Sequence, residues 1–220
     1  MIHLLSKFRE PISSLTHLVG ALLSTIGLIL LIKFSLDTSN WYNTVILAVF
    51  GISSILLYSA SSTYHKSTSS RKVIKILRRV DHSMIYVLIA GTYTPICLIA
   101  LKGNIGTFLF LGIWLLAFIG ILLKIIWFDA PRWLYTLFYI LMGWISVFAI
   151  VPIIKAISLG GFMWLLAGGL FYTIGAIIYA TKRPKINLKF FGFHEIFHIF
   201  IMLGSLCHFI LMFKYIMYID

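Results

Sequence analysis

Phe193-His194-Glu195-Ile196-Phe197-His198-Ile199-Phe200 opens the last long apolar run of the chain, which continues to about Tyr218. His194 and His198 are four residues apart, so a helix puts them on one face. They stand roughly 6 Å apart along the axis, close enough for two imidazoles to hold one metal ion. A run of this length is a candidate membrane-spanning helix. Histidine is costly inside a bilayer, and an intramembrane pair marks a functional position.

Composition extends that reading to the whole chain. Its 220 residues are 61% hydrophobic and only 11% charged, with a mean hydropathy of +1.03. A soluble domain carries about a quarter charged residues. Seven apolar runs are long enough to span: about 16–34, 42–65, 81–101, 106–127, 133–153, 162–180 and 194–217. Short connections between them favour antiparallel neighbours. The expected architecture is all-α, a single seven-helix transmembrane domain over residues 1–220. The first run is too long for a signal peptide's apolar region and is expected to be retained. Pro95 and Pro152 are expected as tolerated kinks. Gly20, Ser24, Gly168 and Gly169 are expected as close-packing positions. Cys97 and Cys207 fall inside apolar runs and are expected as buried free thiols.

The net charge of +12 does not call for nucleic acid here, because basic residues in short loops set membrane orientation. Taken alternately along the seven runs, fourteen Lys and Arg fall on one side. They include Lys7, Arg9, Lys66, Arg71–Arg79, Lys124, Arg132 and Lys182–Lys189. Four fall on the other: Lys33, Lys102, Lys155 and Lys214. This bias predicts a cytoplasmic N-terminus and an outer C-terminus, with the basic loops against anionic headgroups.

Orientation then gathers the polar residues. The second run ends at Ser61-Ser62-Thr63-Tyr64-His65, the third starts at Asp81-His82-Ser83, and the seventh starts at His194-Glu195. His65, Asp81, His194 and His198 are expected at one depth near the cytoplasmic boundary. Three imidazoles suit zinc, with a water or carboxylate as fourth ligand. Asp81 is a candidate to hold or deprotonate that water, or to ligate the metal. Ser61, one turn before His65, is a candidate to orient a ligand or an oxyanion. A catalytic zinc site keeps a position open for water and acidifies it. At headgroup depth the fitting substrate is a lipid amide or ester.

Other polar residues have plainer expectations. Asp81 also fits as a cap of the third helix. His17 is expected near the site or in packing, His82 toward headgroups, and His208 as a polar packing residue about 15 Å deeper than His198. His194-Glu195-Ile196-Phe197-His198 formally matches the H-E-x-x-H of zinc peptidases, in which the Glu is a general base. The other expected ligands lie upstream, so Glu195 is read instead as an acid at a helix N-terminus or as a partner of the metal ligands.

The motifs together resemble one known family. They run from Arg9-Glu10-Pro11 through Thr16-His17-Leu18-Val19-Gly20, Ser59 to His65, Asp81-His82-Ser83-Met84-Ile85-Tyr86 and Ala90-Gly91-Thr92-Tyr93-Thr94-Pro95. They end with His194 to His198 and Cys207-His208-Phe209. The chain resembles the hemolysin III family, the bacterial branch of the progestin and adipoQ receptor group. The resemblance implies seven helices, an intracellular N-terminus and a zinc held by His65, His194 and His198. It implies that Asp81 contacts zinc through water, as in adiponectin-receptor relatives, and that Ser61 lies at the site, as in alkaline ceramidases. Those relatives hydrolyse ceramide, so a zinc-dependent lipid amidase and a role in membrane lipid homeostasis are expected. The alternatives are a receptor-like or structural protein stapled by zinc, or a pore-forming cytolysin.

Overall fold

The structure, a computed structural model, describes residues 8–38, 41–186, 188 and 191–219. Lys7 and Lys189 of the charge count lie outside the described residues. Among the described residues seven α-helices follow one another: α1 Pro11–Thr38, α2 Trp41–Lys66, α3 Arg71–Pro95, α4 Gly103–Ile126, α5 Arg132–Trp144, α6 Ile150–Thr181 and α7 Phe193–Leu211. α3 runs on through a π-helical turn, Ile96–Ala100, just after Pro95. A proline lacks the N–H that would continue the ladder. A second π-helical turn, Met212–Ile216, ends α7, and a 3₁₀ turn, Ile145–Ala149, joins α5 to α6.

By length and apolar content, six helical stretches among the described residues can cross a membrane, because α5 and α6 form one stretch, Arg132–Thr181, of 50 residues. A straight α-helix that long measures about 75 Å, against a hydrocarbon core of about 30 Å. It is not straight. Ser158 has φ 62° and ψ 168°, a non-helical break within α6. Across the break, Arg132 donates to the Tyr179 carbonyl (3.2 Å), the Tyr135 and Tyr179 hydroxyls meet at 3.3 Å, and Trp144 donates to Thr173 (2.9 Å). These partners are spaced about evenly on either side of Ser158, so the chain doubles back there. The runs expected at 133–153 and 162–180 are the two arms of this reversal.

Contacts sort the helix termini into two ends. At one end the Glu10 N–H donates to the His65 carbonyl, 3.1 Å. Ser14 and Ser62 exchange hydroxyl–carbonyl bonds of 3.1 and 2.9 Å. Tyr139 donates to the His82 carbonyl, 3.0 Å. The start of α1, end of α2, start of α3, start of α5, end of α6 and start of α7 are therefore neighbours. At the opposite end Ser35 donates to Thr44 (2.6 Å), and Asn43 donates to the Ile219 carbonyl (3.2 Å).

One expected boundary is wrong. α3 begins at Arg71, not near Asp81. Arg71, Lys72, Lys75, Arg78 and Arg79 extend the helix into water as an amphipathic stretch, with Val73, Ile74, Ile76 and Leu77 between the charges. Asp81 consequently sits well inside the helix and caps nothing. The bundle's outside is apolar: Phe148 is 93% exposed, and Phe108, Trp41 and Ile126 stand out similarly. Water would penalise so much exposed apolar surface; hydrocarbon does not. Cys97 and Cys207 are free and buried.

Candidate metal centre

His65 closes α2, while His194 and His198 occupy the first turns of α7. The three rings form a near-equilateral triangle, with centroids 4.6, 4.9 and 5.1 Å apart. One nitrogen of each lies within 4.8 Å of the other two. The Nε2 atoms of His65 and His194 are 3.2 Å apart. A tetrahedral ion about 2.0–2.1 Å from each nitrogen needs them roughly 3.3 Å apart. The donor set and its spacing therefore fit zinc.

Two of the other ring nitrogens, those of His65 and His198, are already committed. His65 Nδ1 meets the Glu10 carboxylate in a very short contact. Glu10 precedes α1 and lies outside the membrane-spanning stretches. Burial acts to raise its pKa, but the hydrogen bond and charge of His65, with Arg9, outweigh this and hold it at about 2. The carboxylate can accept a hydrogen bond from His65 Nδ1, an arrangement that turns Nε2 toward His194. His198 Nδ1 lies 3.2 Å from Thr16 Oγ1. Thr16 spends its only proton on the Ser13 carbonyl, 3.0 Å away. It can only accept from His198, so His198 Nε2 is left as a lone-pair donor. Metal-binding histidines are commonly oriented in this way. Glu10 and Thr16 both lie in the motifs quoted above, which give neither residue a role. The available signal was an acid beside the first helix at the end where the histidines gather.

Asp81 is buried on the wall of a cavity it shares with His17, Ser61, His194 and His198. Ser61, also buried, stands beside it on the same wall. Asp81 does not join the mutually close ligand atoms, which come from the three histidines alone. The cavity, about 180 Å³, continues past Tyr172 toward Phe162 and Leu165 and is walled mainly by apolar side chains. One end is thus polar and reactive in composition, and the rest is suited to hydrocarbon.

A model of the family described as "Haemolysin-III related" matches residues 5–209. The chain belongs to the haemolysin III family. It is 39% identical to a Bacillus subtilis (strain 168) protein named "Hemolysin-3 homolog", over 196 residues and 89% of each chain. It is also 39% identical to "Hemolysin-3" of Bacillus cereus, over 208 residues, 94% of this chain and 92% of the relative. A more distant likeness, 23% over 172 residues, joins it to the human "Monocyte to macrophage differentiation factor", covering 76% and 69% of the two chains. This haemolysin III protein is a multi-pass membrane protein of the cell membrane, as its apolar helices and its relatives agree.

The remaining candidates fall into place around the triad. His17 is buried, stacks on His198 with centroids 3.5 Å apart, and finds no hydrogen-bond partner among the described residues. Glu195 has both oxygens engaged: Oε2 accepts from the Gly192 N–H (2.8 Å) and Oε1 from the Ser13 hydroxyl (2.5 Å). It ties the start of α7 to α1 and caps α7, with no free oxygen for the general-base role of a peptidase. His208 stacks on Tyr172 and bonds the Gly204 carbonyl at 2.7 Å. His82 packs among Phe128, Tyr135 and Tyr179.

Proposed function

We propose that this haemolysin III protein is a seven-span membrane hydrolase that uses zinc to cleave a lipid amide or ester in the cytoplasmic half of the bilayer. The carrying observation is the placement of three imidazoles, two of them oriented by Glu10 and Thr16, on the polar end of a mainly apolar cavity. His65, His194 and His198 would hold the ion. A bound zinc supplies Lewis acidity toward a carbonyl oxygen and makes a water more acidic.

The chain's own groups supply the rest. Asp81 faces the same cavity and stands beside Ser61. A carboxylate held there can accept a proton from water and return it to the leaving group. The apolar walls hold an acyl chain and exclude bulk water, which strengthens each polar interaction at the closed end. Zinc as a mere staple needs neither the Asp81–Ser61 pair nor the cavity. The basic bias of one bundle end supports a cytoplasmic N-terminus and an outer C-terminus.

The test begins with elemental analysis of detergent-purified protein beside His194→Ala/His198→Ala. About one zinc per chain is expected in the wild type, and almost none in the variant. Hydrolysis of a ceramide or phospholipid panel is expected from wild type, with Asp81→Asn losing turnover by about a hundredfold or more while keeping its zinc. A zinc-loaded protein inert toward the whole panel overturns the hydrolase and leaves the metal structural.

A further inference from the structure

A second polar cluster lies on the α3–α4–α5 side of the same bundle end. Three cations of α3 surround the Phe128 ring: Lys75 at 5.7 Å, Arg78 at 5.3 Å and Arg79 at 5.1 Å from its centroid. From α4, Lys124 sets its ammonium 3.2 Å from the Tyr135 centroid. From α5, Arg132 lies over Tyr179 at 4.6 Å. His82 sits among Phe128, Tyr135 and Tyr179 and within electrostatic reach of Lys124, Arg78 and Arg132.

Five cations converge here; Asp81 acts on Arg78 only at a distance, and no acid pairs with any of the five within 4 Å among the described residues. Among the described residues the ion pairs within 4 Å are Arg9–Glu10 and His65–Glu10, both elsewhere. Two buried donors or acceptors are also unpartnered in the cluster, Arg79 Nε and His82 Nδ1. Cation–π contacts offset part of the repulsion but satisfy no hydrogen bond. Lys124 argues against charges that merely set orientation. A lysine with that task alone extends its stem and leaves its head in water; Lys124 is 3% exposed. An oxyanion with several acceptor atoms answers all these features together, and guanidinium groups fit phosphate in paired hydrogen bonds. His82 and Tyr135 also line the apolar cavity, so the site lies where a lipid headgroup meets its chains. Basic pockets between membrane helices recognise such headgroups.

We propose that Arg78, Arg79, Lys124, Arg132 and His82 form a binding site for the phosphate of an anionic phospholipid. The site adjoins the metal centre, with Tyr179 lying between Arg132 and His194, but uses none of the metal ligands and needs no zinc.

Native mass spectrometry of the full-length protein in non-ionic detergent tests this, with phosphatidic acid and phosphate-free diacylglycerol of matched chains as probes. Wild type is expected to hold one phosphatidic acid at least about tenfold more tightly than diacylglycerol. Arg79→Gln/Arg132→Gln, both half-buried positions, is expected to lose that preference, as is Lys124→Met. Lys155→Gln, exposed at the other end, keeps it. Metal-stripped and zinc-loaded protein are expected to bind alike, which separates this site from the hydrolase reading. Displacement by millimolar inorganic phosphate would assign recognition to the anion itself; retention of the lipid would assign it to the membrane-anchored headgroup. Equal affinity for the two lipids, or an unchanged preference in both variants, overturns the proposal.

Discussion

His65 uses its two nitrogens for different purposes. Nδ1 is held by Glu10, and Nε2 turns toward His194. Removing the carboxylate leaves all three imidazoles present but frees one to rotate and to take the wrong tautomer. Glu10→Gln is therefore expected to lower zinc affinity by about 10–100-fold, measured by competition with a chromogenic chelator. Glu195 makes the opposite case, although it stands beside His194 in sequence. Its oxygens serve Gly192 and Ser13. Glu195→Gln is expected to keep its zinc and lose part of a cap and an interhelix bond, worth about 0.5–2 kcal/mol. A lower melting temperature with unchanged metal content is the expected pair of readings. Zinc lost together with stability would give Glu195 a part in holding the metal.

At the scale of elements, depth in the bundle follows from how closely α2 and α3 approach. A Cβ built on Gly91 would lie 2.2 Å from Ser53 Oγ and 2.6 Å from Ser53 Cβ. The latter atom cannot swing away. Gly91→Ala is expected to push the two helices apart at a cost of about 1–3 kcal/mol, seen as a lower melting temperature in detergent, with Ser53→Gly recovering part of it. The same separation moves Asp81 away from Ser61, so turnover should fall with stability. This packing also explains what sequence could tell. His65, His194 and His198 were legible because an i, i+4 pair and a basic-loop bias each point to one end. Asp81 was legible as a site candidate, but not as a mid-helix residue. The charges of Arg71 to Arg79 look like a loop until Val73, Ile74, Ile76 and Leu77 are seen as the apolar side of a helix. Glu10 and Thr16 stayed hidden because their partners are 55 and 182 residues away. Only the docking of α1 against α2 and α7 brings them to the imidazoles.

For the whole molecule, the decisive question is how often the chain crosses the membrane, because that fixes which compartment each end faces. Arg132–Thr181 is one apolar helical segment, broken at Ser158 into two arms that pair with each other. Counted as two crossings, it gives seven and puts the termini on opposite faces. Counted as one, it gives six and puts them on the same face. Length favours the first count: each arm is about 25 residues, which at 1.5 Å per residue covers a core of about 30 Å with some tilt. Charge favours it independently. With seven crossings the basic termini of the helices alternate to the end that holds the triad, whereas with six the basic segment Lys182-Arg183 would leave that side. An N-terminal green fluorescent protein fusion is expected to fluoresce, and alkaline phosphatase fused after Ile219 is expected to be active outside. Phosphatase placed after Arg183 should be silent. An inactive C-terminal fusion beside an active one after Arg183 would mean that Arg132–Thr181 crosses once with no reversal at Ser158, and Lys182 and Arg183 would then face away from the anionic leaflet that the basic bias predicts.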